Sequence, residues 1–245
     1  MEAAIRVAIV TGSSRGIGAD VARRLGRDGF TVVVNYADGF EPAQAVADSI
    51  NASGGQAIVA KADVTSPSAV AAVFDAAQQA FGGVDIVVNC AGVMRLAPIA
   101  EMDDDTFDRM VGTNLKGTFN VCREAARRLR TGGRIITFSS SVIGMRLPSY
   151  GAYIATKAAV EGLTQVLAQE MRGRGITVNA VAPGPVATEL FLTGKSEALV
   201  AQMAKMNPLE RLGQPEDIAA VVSFLAGPDG GWINGQVLRA NGGMC

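Results

Sequence analysis

Histidine is missing from all 245 residues of the chain. That absence excludes Ser-His-Asp and Cys-His nucleophiles and any histidine-ligated zinc site. Acid/base work must fall to Tyr, Lys, Asp or Glu. Cysteine is scarce as well. Cys90, Cys122 and Cys245 are odd in number and far apart, which argues against a disulfide framework and a metal cluster and for a reducing compartment. No metal is expected. Net charge is nearly absent, with 22 Lys plus Arg against 23 Asp plus Glu and a formal charge of −1, so no global field draws the chain to nucleic acid or to an acidic membrane. No apolar run reaches the roughly 20 residues that a spanning helix needs. The opening stretch MEAAIRVAIVTGSS carries neither a basic leader nor a small-residue cleavage pattern. A soluble, cytoplasmic protein is expected, with small molecules or copies of itself as partners.

What is present is a large apolar fraction, 49% of the residues, enough for the core of one domain spanning 1–245. Apolar runs of strand length recur at 5–10, 31–34, 57–60, 84–88, 134–138, 176–181 and 236–239, rich in Val and Ile and scarcely alternating. Continuous apolar strands suit a sheet covered on both faces. Between them, 19–27, 42–52, 69–81, 106–130 and 155–172 carry helical periodicity. Strand and helix alternating in this way predict right-handed crossovers and a parallel, doubly wound sheet.

The first strand runs into Thr11-Gly12-Ser13-Ser14-Arg15-Gly16-Ile17-Gly18, and an amphipathic segment follows at once. At such a turn glycines let the backbone approach a pyrophosphate, and the helix N-terminus offers it unpaired N–H groups. The second strand ends in Val34-Asn35-Tyr36-Ala37. The acid that would accept from a free ribose 2′-hydroxyl is missing at Asn35. With that charge gone, and Arg15 at hand to pair with a 2′-phosphate, NADP(H) is preferred over NAD(H). The alternatives are that Arg15 faces solvent and Asn35 caps a turn, and Asp38 keeps NAD(H) open. Asp63 and Val64 follow the third strand, where an acid can accept from an adenine amino group, although Ser66-Pro67 makes the better helix cap. The fourth strand ends in Asn89-Cys90-Ala91-Gly92 at the carboxyl edge, where open parallel sheets bind ligands. Cys90 reads as buried filler. Asn114 sits mid-helix, where asparagine is disfavoured, and reads either as a surface accident or as a polar group serving a kink or a water chain. Pro183-Gly184-Pro185 makes a rigid turn at the same edge. Leu190, Phe191, Leu192, Leu199, Met203, Met206 and Leu209 follow among polar residues, a composition that suits a mobile lid and equally a core-facing surface helix.

The stretch 139–157, SSSVIGMRLPSYGAYIATK, gathers three serines, a tyrosine and a lysine. A helix beginning near Ser149 puts Tyr153 and Lys157 one turn apart on one face. An ammonium beside the phenol would lower the tyrosine pKa from roughly 10 towards working pH, where a proton donor serves best. The plainer reading, a partly buried ring beside a solvated lysine stem, stays open on spacing alone.

Taken together, Thr11-Gly12-x-x-x-Gly16-x-Gly18, Asp63, Asn89-x-Ala91-Gly92, Asn114, Ser140, Tyr153-x-x-x-Lys157 and Pro183-Gly184 resemble the short-chain dehydrogenase/reductase family over essentially the whole chain. The closest flavour is that of the 3-oxoacyl-carrier-protein reductases. Cys90 departs from the second Asn usual before Ala-Gly. The resemblance implies a single doubly wound (Rossmann) α/β domain with a mostly seven-stranded parallel sheet and a substrate lid at about 188–213. It implies Tyr153 as proton donor, Lys157 lowering its pKa and holding the nicotinamide ribose, Ser140 binding the carbonyl oxygen, and Asn114 holding a water that links Lys157 to solvent. Counting from Tyr153 and from Arg134 both give Ser140, whereas aligning on Val142-Ile143-Gly144 gives Ser141. The cofactor would be lined by Gly12, Ser14, Arg15, Gly16, Ile17, Gly18, Asn35, Tyr36, Ala37, Asp63, Val64, Asn89, Ala91, Gly92, Tyr153, Lys157, Pro183, Gly184, Val186 and Thr188. The implied activity is NADP(H)-dependent hydride transfer between nicotinamide and a ketone, aldehyde or secondary alcohol, with a 3-oxoacyl thioester the leading substrate. An NAD-dependent alcohol or sugar dehydrogenase is the rival enzyme, and a catalytically silent cofactor-binding regulator the rival from another class. Met94, Arg95, Arg146, Tyr150 and the lid would shape the substrate pocket. The family resemblance also implies a homotetramer or homodimer built through the helices around Asn114 and Tyr153 and the C-terminal strand.

Overall fold

The computed structural model describes residues 6–245, so Ile5, expected in the first strand, lies outside the described residues. Seven strands form one sheet: β1 (Val7–Thr11), β2 (Thr31–Tyr36), β3 (Gln56–Lys61), β4 (Val84–Asn89), β5 (Leu129–Phe138), β6 (Thr177–Pro183) and β7 (Val237–Ala240). Their order is β3-β2-β1-β4-β5-β6-β7 and every pairing is parallel. The order reverses between β1 and β4, and a doubly wound sheet opens its ligand crevice at that reversal.

Both faces of the sheet are covered, as the unbroken apolar strands require. Ala8, Val10, Val32 and Val34 face a core closed by α1 (Gly16–Arg27), α2 (Phe40–Ala52) and α10 (Pro215–Ala226). Val7, Ile9 and Val33, alternating with them, face the second core, closed by α3 (Pro67–Phe81), α5 (Thr118–Arg128) and α7 (Gly151–Glu170). Each such Val or Ile contributes roughly 1.5–3 kcal/mol by leaving water.

The structure redraws two of the expected helices. The segment 106–130 divides into α4 (Asp104–Met110), a π-helical turn (Val111–Gly117) and α5, and its last residues join β5. The helix expected from Ser149 begins at Gly151, because Ser149 has φ +70° and cannot continue a right-handed helix. Beyond the short α6 (Val142–Met145), the chain 188–213 holds α8 (Glu189–Leu192) and α9 (Glu197–Ala204), each capped by a hydroxyl, of Thr188 and of Ser196. Met203 is buried there, while Leu190 and Leu199 are exposed. None of the described helices is long and apolar enough to cross a membrane.

Candidate active site

A cavity of about 800 Å³ runs along the carboxyl edge of the sheet, from the glycine loop after β1 to the wall formed by Tyr153. The glycine loop closes tightly against the turn after β4. Gly12 has φ +60°, and a Cβ there would lie 2.8 Å from the Ala91 Cα, so a side chain fits neither the conformation nor the space. Arg15, the residue before α1, makes no side-chain capping bond, and no acid stands in the first turn. The first N–H groups of α1 are thereby left for an anion.

Asn89 does not line this cavity, contrary to expectation. It is 2% exposed. Its Oδ1 accepts from Thr11 Oγ1 at 2.7 Å, and its Nδ2 donates to Thr118 Oγ1 at 2.8 Å. The Ala91 N–H donates to the same Thr11 hydroxyl at 3.2 Å. Asn89 thus ties β1, β4 and α5 together behind the cleft, because an amide buried there must satisfy both its donor and its acceptor.

Asn35 reaches the cavity wall, but its amide is already engaged. Its Oδ1 accepts from the Gly12 N–H at 3.3 Å, and its Nδ2 donates to the Ala60 and Ala62 carbonyls at 3.1 Å each. The side chain therefore braces the glycine loop, and Tyr36, Ala37 and the exposed Asp38 line the cavity next to it. Tyr36 and Ala37 are uncharged, and the acid among these three lining residues is the exposed Asp38. Arg15 pairs with Glu189 of α8 at 3.2 Å, with both side chains largely exposed. Asp63 accepts from the Thr65 N–H at 2.9 Å and lines the cleft beside Val64, while Ser66 caps α3 as expected.

The three serines separate cleanly. Ser139 donates to Glu161 Oε1 at 2.6 Å. Ser141 donates to the Ala182 carbonyl at 2.8 Å and accepts from Asn241 Nδ2 at 3.0 Å. Ser140 holds a long contact of 3.4 Å from the Val142 N–H and is the one whose hydroxyl stands free for the Tyr153 phenol. Lys157 Nζ donates to the Phe138 carbonyl at 2.9 Å and lies 5.8 Å from the centre of the Tyr153 ring.

A family model described as enoyl-(acyl carrier protein) reductase matches residues 12–245. A short-chain type dehydrogenase/reductase of Picea abies is 52% identical, over 98% of this chain and 92% of its own length. The chain belongs to the short-chain dehydrogenase/reductase family. An NADPH-dependent aldehyde reductase-like protein of Arabidopsis thaliana, chloroplastic, is 45% identical to this family member, over 97% of this chain and 93% of its own. The crystal structure of a Burkholderia cenocepacia short chain dehydrogenase in complex with NADP superposes with a TM-score of 0.92 at 38% identity, covering 98% of this chain and 97% of that one.

Electrostatics in this short-chain dehydrogenase/reductase depart from expectation at the tyrosine. Burial pushes the Tyr153 phenol up to about 12, the hydrogen bond with Ser140 works against that rise, and the neighbouring Tyr150 adds to it. Burial likewise pulls the Lys157 ammonium down to about 8, with Cys90 opposing. A lysine that is itself desolvated holds too little charge near pH 8 to pull the phenol down, so burial wins at both groups. Cys90, expected as buried filler, is instead half-buried on the cavity wall, where burial raises its thiol far above the ordinary range and the Lys157 charge works against that rise.

Asn114 is fully buried at the π turn. Its Oδ1 accepts from the Val93 N–H at 2.8 Å, and its Nδ2 donates to the Val93 carbonyl at 2.9 Å and to Thr156 Oγ1 at 3.2 Å. The kink reading holds and the surface reading falls. Met94, Arg95 and Tyr150 line the cavity, but Arg146 does not. With φ +53° it turns outward, between Met145 and Leu147, which turn in. Sequence reasoning missed Arg109 and Thr113, on the wall around α4 and the π turn, and Met244 near the C-terminal end. No local pattern marks them, since the topology alone brings them to the edge.

Proposed function

We propose that this short-chain dehydrogenase/reductase reduces a ketone or aldehyde to an alcohol with NADPH, through Tyr153, Ser140, Lys157 and Asn114. The observation that carries the reading is one cleft holding an uncapped helix N-terminus at one end and a free serine hydroxyl beside a half-buried tyrosine at the other. The residues fit the cofactor. Gly12, Ser14, Gly16, Ile17 and Gly18 surround the α1 N-terminus, whose N–H groups suit a pyrophosphate. Arg15 suits the 2′-phosphate once it leaves Glu189. Asp63 and Val64 stand for the adenine, and Ala91, Gly92, Pro183, Gly184, Val186 and Thr188 for the nicotinamide half. When bound, the cofactor supplies hydride to the carbonyl carbon.

The protein's own groups do the rest. The high Tyr153 pKa keeps the phenol protonated at neutral pH, ready to donate to the carbonyl oxygen. Ser140 donates a hydrogen bond to that oxygen as negative charge develops on it. Lys157, charged below about pH 8, steadies the phenolate left behind and holds the nicotinamide ribose. Asn114 Oδ1 and Lys157 Nζ flank Gly92, 3.4 and 3.6 Å from where its Cβ would be. That space suits a water passing a proton from Lys157 towards solvent.

Residues 188–213 form the substrate lid, a reading supported by the two short capped helices and by Leu190, Phe191 and Met203, which line the cavity. A cytoplasmic location is supported by three free thiols. A homotetramer is supported by apolar side chains standing in water: Phe119 of α5 at 46%, Val166 of α7 at 58% and Trp232 at 98% exposure.

The experiment is a panel of aldehydes, ketones and 3-oxoacyl thioesters assayed with NADPH and with NADH, together with Tyr153→Phe. Turnover is expected with NADPH on at least one class. Tyr153→Phe should abolish it while NADPH affinity stays within about twofold, since one hydroxyl is lost and the ring remains. Retained turnover in Tyr153→Phe defeats the mechanism. Tighter binding of NADH than NADPH defeats the cofactor preference.

A further inference from the structure

The serine loop is held from two sides by groups outside the mechanism above. Glu161 lies on α7 one turn beyond Lys157 and two beyond Tyr153, so the three share one helix face. Its carboxylate accepts from Ser139 Oγ at 2.6 Å, a short, charge-assisted bond. That bond fastens the residue before Ser140 to the helix that carries the tyrosine. On the other side, Asn241 follows β7 and donates through Nδ2 to Ser141 Oγ at 3.0 Å. Its Oδ1 accepts from the Gly243 N–H at 3.0 Å and the Met244 N–H at 3.2 Å. The same side chain therefore folds the turn that sets Met244 into the cavity wall. The approach is close, because a Cβ on Gly184 would lie 2.9 Å from the Asn241 Cα, and Gly184 N–H donates to the Ala240 carbonyl at 3.0 Å.

We infer that Glu161 and Asn241 are positioning residues of this reaction. They clamp the serine loop through Ser139 and Ser141, hold the Ser140 hydroxyl in register with Tyr153, and, in the case of Asn241, fix Met244 as a wall of the substrate space. The inference rests on the function proposed above. A serine hydroxyl is a short arm, so a loop shift of about 1 Å moves it out of reach of the carbonyl oxygen, and displacements of that size cost up to about 100-fold in rate. Ser139 and Ser141 are 3% and 1% exposed. Their hydroxyls serve the loop, and Ser140 between them serves the cleft.

The test compares Glu161→Ala, Glu161→Gln, Asn241→Ala and Ser140→Ala with the intact enzyme, measuring kcat, KM and NADPH affinity. Glu161→Ala should lower kcat about tenfold with KM and NADPH affinity unchanged. Glu161→Gln keeps an acceptor oxygen and should recover most of that loss. Asn241→Ala should lower kcat to a similar degree and also raise KM severalfold, because Met244 is released. Added to Ser140→Ala, neither change should lower kcat further. Should Glu161→Ala fold poorly, Ser139→Ala breaks the same bond from the loop side and must give the same kcat loss. Normal kcat in Glu161→Ala and Asn241→Ala beside a damaged Ser140→Ala overturns the clamp and leaves the proposed function standing. Normal kcat in Ser140→Ala removes the serine from the mechanism, and the clamp falls with it. Loss of NADPH binding in parallel with kcat shows general structural damage and also overturns the positioning role.

Discussion

Lys157 and Tyr153 are two ionisable side chains in one enclosure, and burial drives each towards its neutral form. The lysine makes this a statement about stability. Its pKa falls from 10.5 to about 8 in the fold. Between those two pH values the unfolded chain binds the proton and the native chain does not, so the lysine raises native stability with pH, and the rise shows from about pH 8 to 9, above which the buried Cys90 and Cys122 thiols, kept protonated in the fold, act with the opposite sign. Below pH 8 both states are charged and the burial cost is fully present, on the order of 3 kcal/mol. Lys157→Met removes that cost and should abolish the rise. Urea unfolding of the cofactor-free protein at several values between pH 7.5 and 10 measures it, and a Lys157→Met curve parallel to the intact protein's would contradict the assignment. Tyr153 carries the opposite sign. Its pKa rises from 10 to about 12, so above pH 10 the unfolded chain releases a proton that the native chain keeps, and stability falls.

The π turn of Val111–Gly117 shows an element shaped by a single side chain. An asparagine in an uninterrupted α-helix would only weaken it, but the widened turn lets the amide of Asn114 leave the helix and pair with Val93 and Thr156. Asn114→Ala removes the partner of the Val93 N–H and carbonyl, which are half-buried beside the cavity. A destabilisation of about 1–2 kcal/mol is expected from the lost hydrogen bonds, read as a lower urea midpoint with an unchanged slope. The glycine loop and α8 meet in a different kind of contact. Arg15 and Glu189 form an exposed pair, which contributes at most about 1 kcal/mol to folding. Arg15→Ala should therefore leave thermal stability nearly unchanged while weakening NADPH about tenfold or more and NADH hardly at all. Equal loss for both cofactors in fluorescence titration would place Arg15 away from the 2′-phosphate.

At the scale of the whole molecule, one sheet collects groups that are far apart in the chain. Thr11 and Ala91 touch across 80 positions, and Ser141 and Asn241 across 100. Parallel crossovers make every strand end at the same edge, so the six that join seven strands bring all seven strand ends together. Among the exposed apolar side chains, Phe119, Val166 and Trp232 carry the prediction for assembly. Light scattering should give a multiple of the 25.3 kDa chain mass, and Val166→Glu combined with Phe119→Glu should shift it towards smaller species. A monomeric mass for the unsubstituted protein would contradict the tetramer.

Much of this was legible in the residues themselves. Strand runs of Val and Ile between amphipathic stretches specify a parallel sheet buried on both faces, because such strands have no polar face to show to water. The glycine loop, the Pro-Gly turn and Tyr153 four residues before Lys157 are local patterns, and local patterns survive reading in one dimension. Tertiary structure decided which way the polar side chains point. Asn89 looked like a cofactor contact because it ends a strand, yet it turns inward to satisfy buried hydroxyl groups, while Asn35 stays on the cavity wall and spends its amide on the glycine loop and on buried carbonyls. The lysine looked like the group that would acidify the tyrosine, yet burial of both outweighs the attraction between them. Three adjacent serines are equivalent in sequence. Glu161, 22 positions from Ser139, and Asn241, 100 positions from Ser141, divide them into two anchors and one free hydroxyl, because the desolvation of a buried polar group is settled by partners that only the fold brings within reach.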